Sequence, residues 1–511
     1  MRSRAMLGAL IGLLCAAVAV GVGEAVAAFV RPAAAPVIAV GNRVILLTPE
    51  SAKRSAINSF GTSDKSVLIF MIYVLLAVFG ALIGQLALRR LAYGLAGIAV
   101  FAAFGSYCAL TANASRGSDV VPTLVGAAVA AAVMVLLVRA VTREDGASAK
   151  SELRLTERRT FLTGGAAAAG LAAITGFGGR AAQHARFDVT AARQKVVLPK
   201  PTTRAPSLQR GVDLGKSGVP WQTPNGDFYE IDTALSLPQI NPAGWSLRIH
   251  GMVEHEINLT YAQLKKRPLI ERWITLCCVS NEVGGGLISN ARWLGARLAD
   301  LLHEAGISAD CDQLLMTSYD GMTIGAPAKV VLDGRDALVA IGMNGAPLPV
   351  AHGFPVRIVV PGLYGYVSAC KWVVDIEATT FAERRAYWID GGWAQQNAVK
   401  LESRIDTPRS GKQVPAGRPV PVAGVAWDQH VGVSAVDVQV DNGPWLAARL
   451  AAVPSTDTWR QWLLSWTPPK PGSYTLRVRA TDQHGTPQIE QHAQPFPSGA
   501  TGLHTITVQA T

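Results

Sequence analysis

Four long apolar runs fall before residue 140, at about 6–30, 66–88, 91–112 and 120–138. Each is close to the roughly 20 residues that a helix needs to cross the hydrocarbon of a bilayer. A helix buried at the edge of a soluble domain would carry a polar stripe, and these runs carry almost none. The pattern predicts four transmembrane helices over residues 1–140. The fourth run, rich in alanine and valine, is also compatible with a buried helix of a soluble domain.

Short cytoplasmic loops carry the excess of Lys and Arg. Arg2 and Arg4 precede the first run, Arg89 and Arg90 join the second to the third, and Arg139, Arg143, Lys150 and Arg154 follow the fourth. This places the N-terminus inside, although Arg31, Arg43, Lys53, Arg54 and Lys65 in the first loop pull the other way. Residues 141–180 hold a fifth, weaker apolar stretch, Phe161 to Gly178, preceded by Thr156-Glu157-Arg158-Arg159-Thr160-Phe161-Leu162. Paired arginines before an Ala/Gly-rich run match a twin-arginine export signal; the same residues also suit an ordinary basic flank of a last, uncleaved anchor. On either reading, everything after about residue 180 lies outside the cytoplasmic membrane.

A chain of 511 residues has room for about three folding units. Residues 181–225, rich in Pro, Gly, Arg and Lys, read as a linker. Residues 226–398 mix strands and short helices. Trp245–Gly251 alternates as a strand, Thr260 caps a short helix, Leu298–Ala305 is a helix stopped by Gly306, and Val356–Val360 is a buried strand. Residues 399–511 carry short strands around 420–426, 435–440, 462–466, 474–480 and 505–508 between turn signals such as Asp441-Asn442-Gly443, which predicts an immunoglobulin-like β-sandwich. The formal charge of +11 follows from topology and solubility. No basic run with interleaved aromatics points to nucleic acid.

The chemistry centres on Cys277-Cys278-Val279-Ser280-Asn281, where the apolar strand Trp273-Ile274-Thr275-Leu276 meets the glycine-rich loop Gly284-Gly285-Gly286. A thiolate there is a ligand for a soft, redox-active metal; equally, cysteine at such a place is a small buried hydrophobe. Cys311 and Cys370 are two further exported thiols that an oxidising compartment could join.

Six blocks in order change the balance. They are Phe228–Leu235, Thr275–Asn281, Ser289–Gly295, Met343–Pro349, His352–Arg357 and Pro361–Trp372. Together they resemble the sulfite oxidase family of molybdopterin-dependent oxidoreductases, the resemblance covering residues 215–510, with the sandwich similar to that family's dimerisation domain. It implies molybdopterin as cofactor and Cys278, three residues before Asn281, as the molybdenum ligand, with Cys277 a packing neighbour. Phe228 and Tyr229 lie in the first matching block. Asp320 resembles the aspartate that bonds the pterin, His352 and Arg357 the residues holding pterin and phosphate, and Ser368 and Lys371 lie on the loop closing the pocket. Trp293 is expected to pack nearby.

Departures from the family concern substrate. Where sulfite-oxidising members place arginines near the metal, this chain has Glu282 and Ile231, with Glu230 alongside. Ile341 replaces a tyrosine, and Gly365-Tyr366-Val367-Ser368 lacks an arginine. A carboxylate near the metal would repel sulfite, so sulfite is disfavoured. Bis-histidine haem needs intramembrane histidines, whereas all nine stand at or beyond His184; no haem is expected, and electrons would pass to a separate cytochrome or quinone. The leading expectation is a membrane-anchored, extracytoplasmic molybdenum oxidoreductase performing oxygen-atom transfer. The alternatives are a sulfoxide reductase acting on oxidised methionine in proteins, and a non-catalytic surface protein on a degenerate scaffold.

Overall fold

The computed structural model describes residues 2–60, 63–144, 151–208 and 220–511. The chain divides into two units, residues 1–189 with 233–239, and residues 190–232 with 240–511. Part of the stretch read as a linker, 209–219, and residues 145–150 lie outside the described residues.

The first unit is helical: α1 (Arg2–Ala27), α2 (Pro36–Leu47), α3 (Glu50–Phe60), α4 (Asp64–Arg89), α5 (Leu91–Leu110), α6 (Val121–Glu144) and α7 (Ser151–Phe187). Five of these, α1, α4, α5, α6 and α7, are long and apolar enough to cross a membrane. Helix α1 is central and packs on α4, α6 and α7. Small residues let the backbones meet, as in membrane helix pairs generally: a Cβ added to Gly12 would overlap the carbonyl of Gly80, and one added to Gly84 would overlap that of Gly8. Helix α7 runs seven residues into the stretch read as linker, since Arg180 to Phe187 continue its register without a breaker. The first loop holds two helices that the long apolar runs did not reveal, because α2 is apolar but only 12 residues long and α3 is polar overall. Residues 233–239 also belong here, with Lys65 Nζ donating to the Ala234 carbonyl at 3.0 Å.

The second unit contains the mixed domain and the sandwich. The mixed domain follows the short helix α8 (Thr190–Gln194) and carries β1 (Ser246–Gly251), β2 (Ile257–Thr260), β3 (Leu269–Cys277), β4 (Ile288–Arg297), β5 (Gln313–Ser318), β6 (Thr323–Pro327), β7 (Leu338–Met343), β8 (Ala346–Pro347), β9 (Arg357–Val359) and β10 (Val373–Thr379). One sheet has the order β2-β1-β10-β5-β6, with β1 parallel to β10 and the other pairs antiparallel. The other runs β3-β4-β7-β8, with β9 added on β7. Strand β3 is buried at all but two of its nine positions, which is why it reads as a continuous apolar run rather than an alternating one.

Local signals act where expected. Thr260 and Gln263 form a reciprocal capping box on α9 (Tyr261–Leu264). Helix α10 (Leu298–Glu304) is followed by Gly306 at a φ of +68°, a conformation in which glycine carries no steric penalty.

The sandwich packs the sheet β11-β13-β17-β16 against β12-β19-β18-β14-β15. Its strands are β11 (Glu402–Thr407), β12 (Gln413–Val414), β13 (Val420–Trp427), β14 (Val433–Val440), β15 (Trp445–Ala447), β16 (Arg449–Leu450), β17 (Arg460–Trp466), β18 (Gly472–Asp482) and β19 (Thr505–Ala510). Alternating inward residues, including Val422, Val436, Val438, Trp462, Leu476, Val478 and Val508, build one core.

Candidate functional site

Strand β3 ends at Cys277, and the chain turns at once into the loop that presents Cys278. The turn is held by its own backbone: Cys278 N donates to the Leu287 carbonyl at 2.9 Å and Asn281 N to the Cys278 carbonyl at 3.0 Å. The Asn281 side chain closes the other end, its Oδ1 accepting from Leu287 N at 2.8 Å. Cys277 and Cys278 are both buried. Burial pushes both thiols up, for Cys278 against an opposing effect of hydrogen bonds from Ser280. A thiol in that state ionises when a cation arrives to hold the thiolate, which couples ligation to proton release.

An aromatic wall faces this loop. Phe228 stacks on Tyr229 with ring centroids 5.3 Å apart and meets Trp293 and His352 edge-on at 5.7 and 5.4 Å. The Tyr229 hydroxyl is held well above its ordinary range, first by burial and then by the nearby Cys278 and Cys277. Trp293 is fully buried and donates its indole N–H to the Ile274 carbonyl at 3.0 Å, a packing role that braces β3.

Arg357, at the start of β9, is 5% exposed. Its guanidinium lies 5.1 Å from the centre of the Trp293 ring, and Nη1 donates to the His352 carbonyl at 3.3 Å. Its Nε is buried with no hydrogen-bond partner among the described residues. Burial lowers its pKa to about 10. A buried guanidinium without a carboxylate is costly unless an anion completes it, and the planar fork suits a phosphate. His352, buried, shares a hydrogen bond with the Asn225 carbonyl through Nε2 at 3.0 Å; burial and then the Arg357 charge lower its pKa to about 4, so the ring is neutral. These residues fit the phosphate and the polar edge of a pterin.

The remaining candidates are placed as follows. Lys371 Nζ pairs with Asp232 at 2.7 Å, donates to the Ala351 carbonyl at 3.0 Å and lies 4.5 Å from the Trp372 ring centre. Ser368 is fully buried, but its hydroxyl is used by the carbonyls of Leu363 and Tyr364, so it shapes the loop rather than offering a free donor. Asp320 sits in the β5–β6 turn, where Oδ1 accepts from Met322 N at 3.2 Å, and its charge acts on Cys370. Glu282 does not join the others. Its side chain is exposed and lines a pocket of about 70 Å³ with Val283, His492, Ala493, Gln494, Pro495 and Ala500. Ile231 is 43% exposed, whereas Ile341 is wholly inside β7. Cys311 and Cys370 are free thiols, each donating to a backbone carbonyl, Gln313 and Lys371 respectively, so no disulfide joins them.

Glu402 lies outside every matching block, and the partners of Asp232 and Asn344, which stand inside two of the blocks, show only in three dimensions. Asp232 is the partner of Lys371. Asn344, at a φ of +53°, ties Arg292 N to Asn225 and Thr223 and so anchors the segment bearing Phe228. Glu402, from the sandwich, is a buried carboxyl whose pKa burial raises to about 8.

Comparison with known proteins follows this geometry. Residues 234–388 match the oxidoreductase molybdopterin-binding domain and residues 402–478 the bacterial Ig domain. Mitochondrial sulfite oxidase of Homo sapiens is 31% identical over 288 residues, covering 47% of this chain and 52% of that protein. The uncharacterized oxidoreductase YuiH of Bacillus subtilis is 32% identical over 158 residues, covering 30% of this chain and 77% of that protein. The sulfane dehydrogenase SoxCD of Paracoccus pantotrophus superposes with a TM-score of 0.48 at 23% identity, covering 56% of this chain and 80% of that one. The chain spans about half the length of the mammalian sulfite oxidases it matches. With a molybdopterin-binding domain followed by an Ig-like sandwich, the chain belongs to the sulfite oxidase family of molybdenum oxidoreductases.

Proposed function

We propose that this protein is a membrane-anchored oxidoreductase that performs two-electron oxygen-atom transfer outside the cytoplasm, with Cys278 as the molybdenum ligand. The observation that carries the site is the buried, anion-less guanidinium of Arg357 beneath the aromatic wall that also reaches Cys278. When bound, the molybdenum cofactor supplies the two-electron couple. The chain supplies the rest. Asn281 sets the ligand loop, Arg357 and neutral His352 hold the anionic and polar parts of the cofactor, and Phe228, Tyr229 and Trp293 exclude water.

The anchor rests on the five long apolar helices, and the outward face on the basic residues flanking them. The paired Arg158 and Arg159 support export of a folded, cofactor-loaded chain by the twin-arginine route. Electrons pass to or from a separate cytochrome or quinone.

A neutral sulfoxide is favoured over sulfite as substrate, because Lys371 is neutralised by Asp232 and Arg357 is committed to the cofactor. The placement of Glu282 removes the repulsion by a carboxylate at the metal from that case. Molybdenum analysis of the full chain made in a molybdopterin-competent host, with methionine sulfoxide reduction and sulfite oxidation measured side by side, tests both parts. Molybdenum far below one per chain refutes the enzyme reading, and sulfite turnover exceeding sulfoxide turnover refutes the substrate.

A further inference from the structure

The loop that presents Cys278 is enclosed by two sets of groups from the sandwich. From β11, Arg404 Nη1 donates to the Gly285 carbonyl at 2.7 Å while its Nε pairs with Asp406 at 2.7 Å. Two residues earlier on the same strand, Glu402 is 4% exposed, and its carboxyl acts on Cys277 and on the Tyr364 hydroxyl. Glu402 also faces the Asn281 carboxamide closely enough to feel it. Neither Asn281 Nδ2 nor Glu402 Oε1 makes a hydrogen bond of good geometry among the described residues. Gly284, at a φ of +76°, lies so close to the His504 ring that a Cβ would overlap it, and His504 Nδ1 in turn accepts from Ile405 N at 3.0 Å.

The second set grips the strand that leads into the loop. On β3, Thr275 N donates to the Asp457 carbonyl at 3.0 Å, Thr275 Oγ1 accepts from Trp459 N at 2.8 Å, and Gln429 Nε2 reaches the Thr275 carbonyl at 3.3 Å. Four sandwich segments, β11, Gln429, Asp457 with Trp459, and His504, therefore hold both the approach to Cys278 and the loop beyond it. The grip on β3 comes from one backbone pair and two side-chain bonds, while the loop itself is held by the side chain of Arg404.

We propose that the Ig-like sandwich is a structural part of the metal site, with β11 as the wall that positions the Cys278 loop: Arg404 holds Gly285, and Glu402 fills the space against Cys277 and Asn281. Both are positioning residues acting through the loop. This rests on Cys278 being the ligand, but the geometry of the loop can be tested without the metal.

The first arm uses full-length protein from a host unable to make molybdopterin. Alkylation by iodoacetamide is followed at each cysteine by mass spectrometry. Local opening of the loop raises accessibility in proportion to the open population, so Arg404→Met and Glu402→Ala are expected to speed alkylation of Cys278 by about tenfold. Alkylation of Cys311 should stay unchanged, and Glu402→Gln, which keeps the shape, should behave as wild type. Unchanged Cys278 rates in both Arg404→Met and Glu402→Ala overturn the proposal, as does an equal rise at Cys311, which would signal general loosening.

The second arm uses the molybdenum-loaded chain. Partial reduction by dithionite gives a Mo(V) paramagnetic resonance signal sensitive to thiolate orientation. Its g-values should shift in Glu402→Ala and return in Glu402→Gln. Unmoved g-values at full molybdenum content overturn the proposal. A wild-type chain without molybdenum refutes the cofactor reading instead, and the alkylation rates then decide the loop alone.

Discussion

Replacing Arg357 by Met should stabilise the cofactor-free protein and weaken the loaded one. In the cofactor-free chain the buried guanidinium has its pKa lowered from 12.5 to about 10, chiefly by burial. At about 1.4 kcal/mol per pKa unit, that is roughly 3 kcal/mol against the charged form. The substitution removes this cost but also gives up the contact with Trp293 at 5.1 Å, worth about 1–2 kcal/mol. The net change is about 1–2 kcal/mol in favour of the cofactor-free variant, from the same two contributions. With the cofactor present the sign reverses, because charge-assisted hydrogen bonds to the phosphate, about 1.5–3 kcal/mol each, are lost. Thermal melting of both forms, with molybdenum content measured on the same samples, reads the two effects separately. The rise in melting temperature on loading should shrink in the variant, and its molybdenum content should fall. A cofactor-free variant melting several degrees below wild type, with molybdenum content unchanged, would refute the reasoning.

Other predictions concern the same site. Cys278→Ser should reduce molybdenum content to a small fraction of wild type while Cys277→Ser retains it, as elemental analysis would show; equal loss from both would deny the assignment. Since His352 has its pKa lowered from 6.5 to about 4, the cofactor-free chain keeps its full stability above pH 6.5 and loses about 3 kcal/mol as pH falls towards 4. His352→Gln should flatten that slope in melting curves taken across the interval. Breaking the buried Lys371–Asp232 pair by Lys371→Met or Asp232→Asn alone should cost about 3–5 kcal/mol by leaving one charge uncompensated, while the double variant recovers most of the loss. Equal instability of single and double variants would rule that out.

How far the site could be read from the chain follows from what each residue depends on. Cys278, Asn281, His352 and Arg357 stand in contiguous motifs whose local turns are made by their own backbone, so the family resemblance can propose them from the sequence. Asp232 and Glu402 are different. Each matters because of a residue over a hundred positions away, Lys371 for the first and Asn281 and Cys277 for the second, and no local pattern shows those partners. Glu282 shows the opposite error. It is four residues from Cys278 in sequence, but the turn at Asn281 carries it to the pocket formed with His492 and Ala493. Strand β11 was not anticipated because Glu402-Ser403-Arg404-Ile405-Asp406-Thr407 is polar, and its polar side chains point at loop backbone and buried partners rather than at solvent.

The long apolar runs, the alternation in the sandwich and the ordered cysteine and arginine motifs are determined by the sequence alone, because hydrophobic periodicity and local turn chemistry act over a few residues. The tertiary structure decided what those elements serve. It takes residues 233–239 out of the mixed domain and into the helical unit, keeps Cys311 and Cys370 as separate thiols, and brings the sandwich against strand β3 and the loop after it. Such outcomes depend on the docking of distant surfaces, where burial and unpaired polar groups have to be settled together.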